Sequence, residues 1–360
     1  MEKNIIDQQR KRKLRFRKRR QSGDLGDELI AFPSAQKDLR GDFHDGIYEG
    51  DSVALPAGKS FPVGWVQPVL QRYRGVQWHL VDVLCLLYTG LISSLLLVFH
   101  KNVNNWMQIL FINGLLSIAT MELLRSASLK SENRFLGFLR VVYPAAFLGW
   151  GWNALNSLVP IFFGNFWATG LIIGADKLVF GVHPTVWFQQ FHNPLLDEIM
   201  CTFYTGYYLF MPVIILSFFL CGKKKEALAV FSLATFTYFV NFILFYLLPA
   251  IGPQMVPNLD GFGQTNFSGY YIANLLRHLQ ENGCVMGAAF PSSHISGSII
   301  WSLATKRYAP TWGKVLLVFT AGVAISTVYL GYHHGMDPIF GLILGISCYK
   351  VGGLFLGDRK

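Results

Sequence analysis

From Val76 onward the chain is a succession of apolar stretches, each close to the 17–25 or so residues that a helix needs to cross a bilayer. Their approximate limits are residues 80–99, 106–124, 136–162, 199–220, 228–248, 290–304, 315–332 and 338–355. The pattern predicts an all-α, polytopic membrane helix bundle of about eight spans. Composition agrees with it: 52% of residues are hydrophobic, 14% are charged and the mean hydropathy is +0.36, values that a soluble globular domain seldom reaches. Pro144, Gly149 and Gly151 predict a kink in the third stretch, and the sixth is short and rich in Ser. The phenylalanines of the fifth, among them Phe231, Phe239, Phe242 and Phe245, read as lipid-facing or packing residues. The five cysteines have no metal-ligand spacing and read as small core residues.

The positive charge is concentrated before the first span, where Arg10, Lys11, Arg12, Lys13, Arg15, Arg17, Lys18, Arg19 and Arg20 supply much of the formal +10. No apolar core follows this run directly, so it is not a signal peptide. Beside a membrane domain such a run is expected to meet anionic lipid headgroups, at about 1 kcal/mol per basic residue, rather than nucleic acid. A partnerless positive-inside tail fits the same residues. Residues 1–75 then form a basic, partly disordered cytoplasmic arm, residues 76–134 two additional spans, and residues 135–360 a six-helix core.

Short cytoplasmic loops retain Lys and Arg, which sets the orientation. Alternate connections carry Arg125, Lys130 and Arg134, then Lys223, Lys224 and Lys225, then Lys306, Arg307 and Lys314, and finally Arg359 and Lys360. Those are assigned inside with both termini. The intervening connections carry Lys101, Lys177 and Arg277 and are assigned to the periplasmic or lumenal side. That topology brings residues 249–254, 291–294 and 332–337 to one outer face. His333 and Asp337, four apart, share a face of any helical turn, so the carboxylate can fix the imidazole tautomer and leave the other nitrogen nucleophilic. His294 opens the sixth span, where the backbone N–H groups of Ser292 and Ser293 and the helix dipole favour an anion. A second histidine there can protonate a leaving oxygen. His100, His183, His192 and His334 read instead as capping or headgroup-zone residues.

These residues carry a resemblance. Ala288-Ala289-Phe290-Pro291-Ser292-Ser293-His294 and Ser326-Thr327, five residues, His333, three residues, Asp337 resemble the last two signature motifs of the type-2 phosphatidic acid phosphatase superfamily. Asp176-Lys177-Leu178-Val179-Phe180-Gly181-Val182-His183-Pro184-Thr185 and Leu247-Leu248-Pro249-Ala250-Ile251-Gly252-Pro253 resemble its inositol phosphorylceramide synthase branch. The resemblance implies a six-helix phosphatase-type core, with His333 as nucleophile, Asp337 as its orienting partner and His294 as acid. It implies that Ser292 and Ser293 hold phosphate oxygens, with no metal and no cofactor. Two motifs depart from it: Thr327 stands where the family has Arg, and Ile251 and Gln254 stand where basic residues surround the Gly-Pro. Lys177 and Arg277, the basic residues of the long outer loops, are the candidates to offset phosphate charge in their place, with Gln254 a turn residue or a further ligand.

Three functions remain open from sequence: transfer of a phospho-headgroup between carriers, hydrolysis of a phospholipid, polyprenyl or sphingolipid phosphate, or a catalytically degenerate relative acting as lipid-binding, scaffold or transport protein.

Overall fold

The computed structural model describes residues 72–256 and 267–356. The basic arm through Arg20, the connection around Gln264, and Arg359 and Lys360 lie outside the described residues. The described chain is helical, and its strand-like pairing is a single bridge between Ala250 and Ala288.

The helices are α1 (Leu80–Phe99), α2 (Trp106–Leu129), α3 (Arg134–Val142), α4 (Pro144–Leu158), α5 (Ala168–Phe180), α6 (Pro184–Phe188), α7 (Pro194–Gly206), α8 (Phe210–Leu220), α9 (Lys224–Leu247), α10 (Tyr271–Gly283), α11 (Ser293–Tyr308), α12 (Pro310–Tyr329) and α13 (Met336–Phe355). Their boundaries follow local chemistry. Proline sits in the first turn of α4, α6, α7 and α12, where its missing N–H costs nothing. Asn133 and Asn193 cap α3 and α7, accepting from Leu136 N and Leu196 N at 3.0 Å each. Gly181 terminates α5 in the left-handed region at φ 73°.

Six helical segments among the described residues are long and apolar enough to cross a membrane: 80–102, 106–129, 194–220, 224–247, 310–329 and 336–355. A seventh arises if α5 and the segment through Phe191, bent by 63°, cross as one. The expected third span is divided at Tyr143 and Pro144 into α3 and α4, because the proline can neither donate to the preceding turn nor clear its carbonyl. The expected sixth span is α11, only 16 residues long. The stretch assigned to an outer loop around Lys177 is the helix α5.

α11 forms the centre of the bundle, packed against α9, α12 and α13 and buried around its circumference. Its serines satisfy themselves on the preceding turn: Ser298 Oγ donates to His294 O at 2.6 Å and Ser302 Oγ to Ser298 O at 2.7 Å. α13 approaches it through Gly341 and Gly345. A Cβ at Gly345 would fall 2.1 Å from Ile299, and one at Gly341 would fall 2.6 Å from the Ser292 carbonyl. Phe231, Phe239, Phe242 and Phe245 of α9 are buried, so they pack within the bundle. Cys85, Cys201 and Cys348 are buried as expected of core residues, whereas Cys221 and Cys284 are exposed. A buried ion pair, Arg140 Nη2 to Asp82 Oδ2 at 2.5 Å, fastens α3 to α1, and Tyr143 donates to the same carboxylate.

A single residue, Ala309, separates α11 from α12, so the two run antiparallel. The end of α9, the start of α11, the end of α12 and the start of α13 therefore share one end of the bundle. Lys223, Lys224, Lys225, Lys306, Arg307 and Lys314 stand at the opposite ends of these helices.

Candidate active site

His333 lies in the turn between α12 and α13. Gly331, at φ 78°, supplies the left-handed residue that reverses the chain there. The Thr327 carbonyl, exposed by the end of α12, accepts from Tyr332 N and His333 N, both at 3.1 Å. Asp337 occupies the first turn of α13, fully buried, and its Oδ2 accepts from His333 Nδ1 at 3.1 Å and from His334 N at 2.9 Å. An ionised carboxylate only accepts, so the proton of His333 is assigned to Nδ1 and the lone pair to Nε2. That Nε2 lies 3.2 Å from His294 Nδ1 and 3.1 Å from Ser292 Oγ. Both can donate to it. The result is a continuous chain, Asp337 to His333 to His294, in which one nitrogen lone pair is held ready and capped by N–H and O–H donors.

Three separate stretches are stitched into this end of the bundle. Ala250 N donates to Gly287 O at 3.1 Å and Ala289 N to Ala250 O at 3.0 Å, joining the end of α9 to the approach to α11. Gln254 Nε2 donates to Leu330 O at 2.8 Å and Gln254 N to Gly331 O at 3.2 Å, joining the same stretch to the histidine turn. Gly252 is required where it meets that turn, since a Cβ would stand 2.3 Å from the Tyr332 carbonyl oxygen. His334 Nε2 lies 3.1 Å from the Ile251 carbonyl.

A cavity of about 60 Å³ opens on both histidines. A water needs roughly 10–15 Å³, so the space has room for several waters or a phosphoryl group. Aromatic rings, Trp152, Tyr204, Tyr208 and Tyr332, and the carboxamides of Gln254 and Gln280 form much of its wall. Tyr204 packs 4.7 Å from the His294 ring, centroid to centroid, and its hydroxyl accepts from Gln280 Nε2 at 3.0 Å. Cys284 also borders the cavity.

The anticipated phosphate ligands are distributed unevenly. Ser292 Oγ faces His333, but Ser292 N donates to the Asp337 carbonyl at 3.1 Å and is not available to an anion. Ser293 is buried in the first turn of α11, with its carbonyl accepting from Ser296 Oγ at 3.5 Å. Gln254 borders the cavity, its amide N–H committed to Leu330. Lys177 and Arg277 do not reach the cavity. Lys177 follows the inward-facing Asp176 on α5 and is turned about 100° away from it, into an exposed position. Arg277 is exposed on α10, with its guanidinium 5.8 Å over the Phe267 ring. Besides Gln254, the positions where the family has basic residues make local bonds: Thr327 Oγ1 donates to Ala324 O at 2.9 Å, and Ile251 N donates to Thr169 Oγ1 at 3.1 Å. The cavity wall contains no Lys or Arg among the described residues.

Sequence reasoning missed Tyr204 and Gln280, and it gave no role to Asp176 and Thr185, the two ends of the stretch that resembles the inositol phosphorylceramide synthase branch. Asp176 left a signal: Ala168, Ile172 and Asp176, at spacings of four, are the buried stripe of an apolar helix, and a carboxylate in such a stripe needs partners.

A family model of the PAP2 superfamily matches residues 172–351, half of the chain, and includes every residue of the histidine constellation. The chain belongs to the PAP2 superfamily. Two curated relatives of this PAP2 protein extend the similarity. A PA-phosphatase related-family protein of Dictyostelium discoideum is 30% identical over 122 residues, 33% of this chain and 22% of that protein. An undecaprenyl-diphosphatase of Bacillus subtilis is 26% identical over 165 residues, 46% of this chain and 75% of that enzyme. The PAP2 protein thus spans about a fifth of the first relative and three quarters of the second. No solved structure matches the chain.

Proposed function

We propose that this PAP2 protein cleaves or transfers lipid phosphate esters through a phosphohistidine formed on His333. The observation that carries the reading is the Asp337, His333, His294 chain ending on a phosphoryl-sized cavity, with His333 Nε2 holding the lone pair. In the first step that lone pair forms the N–P bond while the bond from phosphorus to the lipid oxygen breaks. Once phosphorus has taken the lone pair, the His294 Nδ1–H loses its acceptor and can pass its proton to the departing oxygen. In the second step a water or an acceptor hydroxyl attacks phosphorus, His294 takes up its proton, and the N–P bond breaks to restore His333. Asp337 stays ionised and offsets the charge that develops on His333.

The substrate class is a phospholipid, polyprenyl phosphate or sphingolipid phosphate. The undecaprenyl-diphosphatase relative supports a lipid phosphate or diphosphate with water as acceptor, while the inositol phosphorylceramide synthase resemblance supports transfer to a second lipid. The cluster of Lys and Arg at the far end of the helices supports a periplasmic or lumenal active site with cytoplasmic termini, and anionic headgroups as the partner of the basic arm. In this reading residues 1–75, 76–134 and 135–360 divide the chain into arm, accessory spans and catalytic core. The cavity wall favours one alternative: without Lys or Arg to balance a phosphate, the protein would be a degenerate relative that binds or scaffolds lipids.

Purified protein separates the two. The enzyme reading expects vanadate, a mimic of five-coordinate phosphorus, to bind the wild type, and a trapped phosphoenzyme that disappears in His333→Ala. Protein that binds no vanadate and releases no phosphate from lipid phosphates or diphosphates is the degenerate relative.

A further inference from the structure

We infer that Asp176, with Thr185, is a positioning residue for the reaction: an element outside the histidine motifs holds the turn that carries the nucleophile at its backbone, before and after His334. The inference rests on the assignment of His333 as nucleophile. Asp176 comes from α5, some 160 residues before the turn, and is 1% exposed. Its two carboxylate oxygens each accept one backbone N–H, Gly335 N on Oδ2 and Met336 N on Oδ1, both at 2.8 Å. Those two amides lie between His333 and Asp337. From the same elbow Thr185 Oγ1, in the first turn of α6, donates to the His333 carbonyl at 3.1 Å and is likewise 1% exposed.

The fit is tight enough to fix the turn. A Cβ at Gly335 would stand 2.6 Å from Pro184 Cγ and 2.8 Å from the Phe180 ring, so the α5 and α6 elbow lies directly against the turn backbone. Neither clamp residue borders the cavity or contacts His294, and neither holds a proton that the reaction moves. Their bonds fall on the backbone atoms that set where His333 Nε2 points. A bulk structural role could be met by apolar packing at the same place. Two carboxylate oxygens matched one-to-one with two successive amides, in a buried site, cost a desolvated charge that packing alone does not require. Orientation accounts for that cost, since a displacement of about 1 Å at a reacting atom lowers rates roughly 10²-fold.

Asp176→Asn keeps the size of the side chain but offers one acceptor to two donors, and places its NH₂ against an amide N–H. Rates are to be measured per vanadate-binding site in purified full-length protein, with the fraction of folded protein followed by thermal unfolding. The expected result for Asp176→Asn is a fall in kcat per site of roughly 10²-fold with KM changed far less. Thr185→Val is expected to show a smaller loss of the same kind, and Thr185→Ser to restore the wild-type rate. If Asp176→Asn does not fold, the two Thr185 variants decide. Variants that lower the number of sites but turn over at the wild-type rate per site overturn the inference and leave the phosphohistidine reading standing. A wild type that binds no vanadate overturns both.

Discussion

Asp337→Asn tests whether charge or geometry makes His333 reactive. The Asp337 Oδ2 atom accepts from His333 Nδ1 at 3.1 Å and from the His334 backbone N–H at 2.9 Å, while Oδ1 is buried with no hydrogen-bond partner among the described residues. An asparagine can therefore put its carbonyl oxygen in the Oδ2 position, where the fixed His334 N–H holds it, and its NH₂ in the unpartnered position. The His333 tautomer survives, and what disappears is the charge. A hydrogen bond to a charged group contributes about 1.5–3 kcal/mol against about 0.5–1.5 for a neutral one. The difference of about 1–2 kcal/mol corresponds to a loss in kcat of roughly 5- to 30-fold. Where an amide instead forces the wrong imidazole tautomer, as in the serine protease triad, the loss is about 10⁴-fold. The assay is steady-state phosphate release from a lipid phosphate in detergent micelles, alongside thermal unfolding, for which the variant should resemble the wild type. A folded variant with undiminished kcat would refute the role of the carboxylate. A loss beyond about 10³-fold would refute the argument that His334 N–H keeps the amide oriented.

His294→Ala removes the proposed proton donor, so turnover of a lipid alkoxide ester should fall by roughly 10²–10⁴-fold while an aryl phosphate, whose leaving group needs no proton, loses much less; equal losses for both would remove His294 from the acid role. The native cysteines report the orientation. Cys284 borders the cavity and Cys221 lies at the far end of the bundle, both exposed, so an impermeant maleimide on intact cells should modify Cys284 and spare Cys221. Modification of Cys221 alone would invert the topology.

The helical class was legible in the sequence because each membrane span must close its hydrogen bonds within itself, so a run of apolar residues is enough to announce it. The histidine constellation was legible for a related reason. His333 and Asp337 are four residues apart in one helical turn, and His294 begins a helix, so their relation needs little more than local geometry and a common end of the bundle. The fate of α11 was not legible: sixteen residues rich in Ser look like a poor membrane span, and only the surrounding helices, approaching through Gly341 and Gly345, make them the centre of the protein. Nor could the sequence decide between Asp176 and Lys177, adjacent residues on one helix. Which of them turned inward depended on the side from which the histidine turn, some 160 residues later, came to lie against α5. The basic residues chosen from loop composition failed for the same reason, since a charge in an outer loop becomes a phosphate ligand only if the fold aims it at the cavity. Lys177 and Arg277 are held at exposed positions by the helices that carry them, and Asp176, the carboxylate that does face the histidine turn, accepts from its backbone outside the cavity. The sequence by itself determined the helical class, most of the apolar spans and the histidine pair. Tertiary packing decided which polar side chains share the buried end with that pair, because such contacts join residues whose separation along the chain carries no periodic signal.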